Sequence, residues 1–100
     1  MYVIRNVMHC KPGMVKDLVN KLKEMNNLMK KADPKIQTRI MTDVSGARFW
    51  TAIIEVETES VERHKEMAQK AMQDPTITKS LNKYHKFVES KYKEIFKLEN

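Results

Sequence analysis

Residues 2–22, YVIRNVMHCKPGMVKDLVNKL, change their hydrophobic period halfway along, and that change decides the fold. From Tyr2 to Cys10 the chain is rich in β-branched and apolar residues, the composition of a strand. Side chains on a strand alternate, so Tyr2, Ile4, Asn6, Met8 and Cys10 share one face and Val3, Arg5, Val7 and His9 the other. Pro12 and Gly13 break the strand. Beyond them Met14, Val15, Leu18, Val19, Leu22, Met25, Met29 and Ala32 recur at helical spacing, with lysines and asparagines opposite. The stretch reads as strand, joint, helix. His9 and Cys10 are sequence neighbours, yet strand geometry points them apart, so they are not a nucleophile–base pair.

The same alternation of periods continues outward. Asp33-Pro34 closes the helix, because proline pushes the preceding residue out of helical geometry. Residues 35–42 form a strand with Ile36, Thr38, Ile40 and Thr42 opposite Gln37, Arg39 and Met41. DVSG (43–46) has turn composition, and ARFWTAIIEVE (47–57) is the strongest strand signal in the chain. The two are expected to pair as a hairpin. In the second, Trp50, Ala52, Ile54 and Val56 make an apolar face, and Phe49, Thr51, Ile53, Glu55 and Glu57 a mixed one.

Ser60 suits an N-cap and Glu62 the positive end of a second helix, whose inner stripe is Val61, His64, Met67, Ala68, Ala71 and Met72. Asp74 and Pro75 open a third, shorter helix. Its stripe is Ile77, Leu81, Tyr84 and Val88, with His85 one turn beyond Leu81. KYKEIFKLE (91–99) is a last strand, with Tyr92, Glu94, Phe96 and Leu98 against Lys93, Ile95 and Lys97.

The order β-α-β-β-α-(α)-β predicts an α+β, ferredoxin-like domain over residues 1–100, an antiparallel sheet with helices on one face. The uncovered face is expected to carry Val3, Val7, Met41, Phe49, Ile53 and Ile95 beside Arg5, Arg39, Glu55 and Glu57. That is more apolar surface than a monomer leaves in water, and the charges can pair, so a homodimer with sheet against sheet is expected.

Composition narrows the function classes. The 100 residues are 41% hydrophobic and 32% charged, with a net charge of +6. Acids such as Asp17, Glu24, Glu62, Glu66, Glu89 and Glu94 are interspersed among the lysines, as on solvated helix faces. No apolar run reaches the roughly 20 residues of a membrane span, and the N-terminus shows no secretory pattern. With the lone Cys10 this predicts a cytoplasmic protein without membrane association. A nucleic-acid partner is not expected: the first strand offers no outward aromatic, and GARFWTAIIEV does not fit an RNA-binding signature. No Gly-rich phosphate loop, HExxH or GxSxG occurs, and a single cysteine cannot build a thiolate metal site.

If the protein has a ligand site, strand parity and the helix stripes place it between the helices and the sheet, centred on Asn6 and His85 with His64 and Trp50 as walls. Asn6 is the polar exception on an apolar strand face, and a buried amide needs partners or costs a few kcal/mol. His64 and His85 lie on or beside inner helix stripes, where an imidazole can move protons near neutral pH. Each also has a plain structural reading, as do the eight methionines, which fill irregular cores. Glu55 and Glu57 are expected to pair with Arg5 or Arg39 across the sheet.

The CKPGM joint, the helix break in AMQDPTITKSLNKY and the closing FVESKYKEIFKLE resemble the dimeric α+β barrel superfamily, in particular its NIPSNAP-like and antibiotic-biosynthesis-monooxygenase-like small proteins. The resemblance implies a homodimer. It also implies a place among cofactor-free oxygenases, haem-degrading enzymes, isomerases and members without known activity. Haem-degrading relatives use an Asn on the first strand, a Trp on the second helix and a His near the third. Asn6 and His85 occupy similar places, but the only tryptophan is Trp50, on a strand, so haem degradation does not follow.

The expectation is therefore a monooxygenase-like oxygenase or an isomerase, needing no cofactor and no metal, acting on a small, apolar, oxygenated molecule. Asn6 and His85 are its candidate catalytic residues, and His64, Trp50 and Tyr84 its candidate ligand-binding walls. The alternative is a non-catalytic dimeric module that binds a ligand or a protein.

Overall fold

Four strand signals and three helical ones become eight elements in the computed structural model, which describes the backbone of residues 1–100 and every side chain except that of Leu81. They are β1 (Tyr2–Cys10), α1 (Val15–Ala32), β2 (Gln37–Thr42), β3 (Thr51–Thr58), α2 (Val61–Ala71), α3 (Pro75–Leu81), a 3₁₀ turn (Tyr84–Phe87) and β4 (Val88–Lys97). The place expected for the Leu81 side chain on the third helix's stripe lies outside the described residues.

The strands make one antiparallel sheet in the order β2-β3-β1-β4, with the helices on one face, which is the ferredoxin-like α+β fold. Strand β1 is central and carries Val3, Ile4, Val7, Met8 and Cys10 buried. Its even residues meet the helices: Met8, Cys10 and Ala52 of the sheet pack with Leu18, Leu22 and Tyr84, flanked by Val15, Val19, Met25, Ile40 and Ile54. Leu18 and Leu22 are fully buried. Truncating either to alanine costs about 3 kcal/mol, because the site cannot collapse around a lost side chain.

The helix ends follow their residue chemistry. The Ser60 hydroxyl accepts from the Arg63 amide at 3.2 Å and the Asp74 carboxylate from the Thr76 amide at 2.9 Å, satisfying N–H groups that the first turn leaves over. Glu24 ties α1 to α3, accepting from Lys21 at 3.1 Å and from the Ser80 hydroxyl at 3.2 Å.

On the other face of the sheet, Arg39, Glu55, Arg5 and Glu94 stand directly opposite one another across all four strands, with alternating charge. Glu55 is 4% exposed and accepts from Arg5 Nε at 2.8 Å and from Arg39 Nη2 at 2.8 Å. Arg39 also reaches Glu57 at 3.4 Å. The cross-strand pairing expected for Glu55 and Glu57 is thus present.

Two sequence expectations for this sheet need correction. The third strand begins at Thr51, so Phe49 and Trp50 belong to a loop over residues 43–50 rather than to opposite sheet faces. Trp50 adopts φ 60°, the left-handed region, which interrupts strand alternation there. Hydrogen bonds hold it: the Cys10 amide donates to the Trp50 carbonyl at 2.7 Å, and the Thr51 amide to the Asp43 carboxylate at 2.7 Å. Val44 (97%), Phe49 (73%) and Trp50 (45%) are left exposed.

The second correction concerns β4. Ile95 pairs with Ile4 and lies on the helix side, while Tyr92 and Phe96 pair with Val7 and Val3 and take the outer face. The inward positions of this edge strand are mostly lysines, Lys91, Lys93 and Lys97, each of which stays partly in water at the open margin of the layer. Val88, expected on the third helix's stripe, instead begins the strand.

Burial pushes the Glu55 carboxyl up, but the hydrogen bonds and charges of Arg5 and Arg39 outweigh it and hold the carboxyl below its ordinary 4.5. Glu55→Ala leaves two guanidinium groups without their shared acceptor and is expected to lower the unfolding free energy by about 2 kcal/mol, read from urea denaturation. A carboxyl depressed in the folded state contributes stability above its unfolded value and loses it as the pH falls. The wild type should therefore lose stability below pH 4.5 and the variant lose less.

Candidate functional site

Between the helices and the sheet lies a cavity of about 430 Å³. Its walls are mostly apolar: Met8, Ile54 and Val56 from the sheet, Leu22, Met25 and Met29 from α1, and Ala68, Ala71 and Met72 from α2 and its end. The polar groups that reach it are Asn6, Asn26, Thr38, His64, Tyr84, Lys91 and Lys93. This is the usual make-up of a small-molecule site, a concave apolar volume with a few placed polar groups.

Register explains which of these meet. Asn6 stands directly opposite Lys93 on one side and Ile54 on the other, and Met8 stands opposite Lys91. Directly opposed residues of an antiparallel pair point to the same face, so the Asn6 amide and the Lys93 ammonium rise together toward the helices. His64 descends from the second turn of α2 into the same cavity. Burial pushes its imidazole below the ordinary 6.5, and the Lys93 charge adds to that effect. The ring is therefore neutral at pH 7 and can accept a proton. Among the described residues, neither the Asn6 amide nor the His64 ring has a side-chain hydrogen-bond partner in the protein. Thr38 and Asn26 are engaged with each other, the threonine hydroxyl donating to the amide oxygen at 2.5 Å. The Lys91 ammonium donates to the Tyr84 hydroxyl.

Of the five residues singled out from sequence, the structure brings three together: Asn6, His64 and Tyr84 line the cavity. His85 and Trp50 do not. His85 is exposed, with its ring 4.2 Å from that of Tyr84, because α3 ends at Leu81 and the 3₁₀ turn that follows does not continue its stripe. Trp50 sits at the other end of the domain, lining a second hollow with Val15, Thr42, Asp43 and Phe49. Lys91 and Lys93 were missed. Their parity was legible, but which face of β4 turned inward was not, since lysine on an edge strand ordinarily reads as solvation. Cys10 is buried in the core and burial, then the Asp43 charge, pushes its thiol up, while His9 on the opposite face lies 3.2 Å from the Thr51 hydroxyl. The pair is divided, as strand alternation predicts. Among the described residues no group of three or more His, Cys, Asp and Glu stands close enough to hold a metal ion, and no helix is long and apolar enough to cross a membrane.

No protein-family profile matches the chain, and no curated protein matches it. Solved structures do. A NIPSNAP-domain protein from Burkholderia xenovorans superposes with a TM-score of 0.83 at 11% identity, covering 98% of this chain and 94% of its own. A NIPSNAP-family protein of unknown function from Agrobacterium tumefaciens gives 0.83 at 15% identity, covering 98% and 87%. A protein from Nitrosomonas europaea, provisionally named an antibiotic biosynthesis monooxygenase, gives 0.74 at 9% identity over 100% of both chains. At such identities the likeness is one of fold, and it matches the resemblance carried by the CKPGM joint and the helix break.

The His64 environment is directly measurable. In an NMR pH titration, Lys93→Met should raise the His64 pKa toward the ordinary 6.5, because it removes a positive charge that opposes protonation. An imidazole depressed in the folded state also costs stability on acidification: the unfolded chain binds the proton more readily between the ordinary and the depressed value. Thermal stability should fall as the pH drops below 6.5, less so in His64→Gln.

Proposed function

We propose that this chain, which shares the fold of NIPSNAP-domain proteins and of proteins provisionally named antibiotic biosynthesis monooxygenases, is a homodimeric, cofactor-independent enzyme that moves a proton on a small, mostly apolar, oxygenated molecule. The observation that carries this reading is the convergence of a neutral imidazole, a free amide and an ammonium group in one otherwise apolar cavity.

The chemistry follows from those groups. His64 accepts a proton from a C–H beside a carbonyl, or from a phenolic O–H. The electron pair of that bond stays on the substrate as an enolate or phenolate. Asn6 donates a hydrogen bond to the oxygen that gains the charge, and the Lys93 ammonium opposite it on β4 supplies a compensating positive charge. Returning the proton from His64 to a different atom completes an isomerisation. If dissolved dioxygen instead takes one electron from the carbanion, the resulting superoxide and substrate radical combine through a new C–O bond into a peroxide. His64 returns its proton to the outer oxygen, and cleavage of the O–O bond with loss of water leaves a carbonyl at that carbon, an oxygenation. His85 has no part in either course.

The probe for this reading is para-nitrophenol, whose phenolate absorbs visible light. Bound in the cavity it is expected to ionise about one pH unit below the free phenol, since a cation within a few ångströms favours the anion. Asn6→Ala and Lys93→Met should each reduce the shift. Binding with no shift supports a non-catalytic ligand-binding module instead, and absence of binding defeats the cavity as a site.

Assembly as a homodimer is supported by the outer sheet face. Tyr92, Phe96 and Met41 are exposed there around the alternating row of Arg39, Glu55, Arg5 and Glu94. A two-fold axis lying in the interface plane, perpendicular to this row, lays the row against its own copy end for end, so that Arg39 faces Glu94 and Glu55 faces Arg5, which makes the patch self-complementary. Light scattering at micromolar concentration is expected to give a dimer, and Ile53→Lys, on the same face, to give a monomer that retains its circular dichroism spectrum.

A further inference from the structure

The cavity has an unbalanced charge. Lys91 and Lys93 both reach it, and among the described residues no aspartate or glutamate lines it. Neither lysine forms an ion pair with any described carboxylate, although the chain is rich in surface acids that do pair, as Glu24 does with Lys21 and Glu89 with Arg48. The plain reading of such lysines is edge-strand solvation. Lys91 departs from it. Its ammonium donates to the hydroxyl of Tyr84, a residue only 8% exposed, and lies 5.1 Å from the centre of that ring. A lysine serving only to solvate an edge would extend into water rather than fold against a buried phenol.

The direction of that hydrogen bond matters. Ammonium groups only donate, so Tyr84 is the acceptor and its own O–H remains free to donate. Lys91 and Tyr84 together therefore present two donors and a positive charge, the combination that holds an oxyanion. Lys93 stands two residues along β4, about 7 Å away along the strand, next to Asn6 and His64. The cavity thus contains two separate places for oxygen.

We infer that the ligand of this cavity is an organic acid, an apolar body bearing one carboxylate, and that Lys91 with Tyr84 anchors the carboxylate while Lys93 and Asn6 are left for the oxygen that gains charge during reaction. The inference rests on the cavity being a ligand site, as proposed above, and adds the ligand's charge and its orientation. The four methionines of the walls (Met8, Met25, Met29 and Met72) suit an irregular apolar body. A carboxylate directed to Lys91 places the rest of that body along the sheet toward His64.

The test compares naphthoate with naphthalenemethanol, which share an apolar body and differ in charge, by calorimetric titration of the full-length protein. Naphthoate is expected to bind about tenfold more tightly or better, the size of a charge-assisted hydrogen bond. Lys91→Gln should abolish most of that preference and Tyr84→Phe should reduce it severalfold, with naphthalenemethanol affinity unchanged in both, which shows that the cavity is intact. Lys16→Gln, on the exposed side of α1, should leave the preference as it is. Equal binding of the two probes overturns the anion assignment while leaving the cavity a site. Preference for naphthoate that survives Lys91→Gln also overturns it, since the anion is then held by the chain's general positive charge. Failure of both probes to bind defeats the cavity reading and this inference with it.

Discussion

The structure depends on one row of charges. Arg39, Glu55, Arg5 and Glu94 lie opposite one another on β2, β3, β1 and β4, and the Glu55 carboxylate is gripped by both arginines. Strand pairing has a side-chain period of two, so slipping any strand by one residue turns its whole set of side chains over. A slip here would set Glu55 against apolar Ile4 or Asn6 and drive Arg5 toward the helices. The ion pairs themselves add modest stability, because both arginines are partly in water. Their larger effect is on register. With that register held, Met8, Cys10 and Ala52 meet Leu18 and Leu22, and Asn6 and Lys93 rise into the same cavity.

The two faces of the sheet are consequently different materials. The inner face meets a helical layer that covers it unevenly: α1 packs tightly at Leu18 and Leu22, while α2 carries no fully buried residue. The small side chains Ala68 and Ala71 of α2 leave room, and the cavity occupies that room. Burial there keeps His64 neutral, so a packing deficit and a proton acceptor have the same origin. On the outer face β1 is already buried by its neighbours at Val3 and Val7, and the remaining exposed apolar groups are at the margins, on β2 and β4. The charged row between them is engaged within the chain at Glu55, while Glu94 at its end forms no ion pair with a described residue.

Most of the fold was legible from residue order. Periods of two and of 3.6 located β1, α1, β2 and α2, Asp33-Pro34 stopped α1, and Ser60 and Asp74 capped the next two helices as their side chains suggest. Errors arose where alternation was extended across residues that no ladder holds. Phe49 and Trp50 looked like the start of a strand because aromatic residues favour strands, yet Trp50 takes a left-handed backbone fixed by the Cys10 and Asp43 contacts, which are remote in sequence. Helical spacing puts His85 one turn beyond Leu81, but a helix that ends at Leu81 has no next turn.

By itself the sequence determined the α+β class, the strand parity that separates His9 from Cys10 and puts Asn6 among apolar neighbours, and the pairing of Glu55 with arginine. These follow from local geometry, in which a side chain's direction is set by its place in a strand or helix. Only the tertiary structure decided that Lys91 and Lys93 face the cavity, that Ile95 turns inward and Tyr92 and Phe96 outward, and that His64 rather than His85 meets Asn6. Alternation along β4 divides its residues into two sets but is silent on which set faces the helices. That choice is made by hydrogen bonding to β1, whose own orientation is settled by contacts with α1 and β3 far away in the chain.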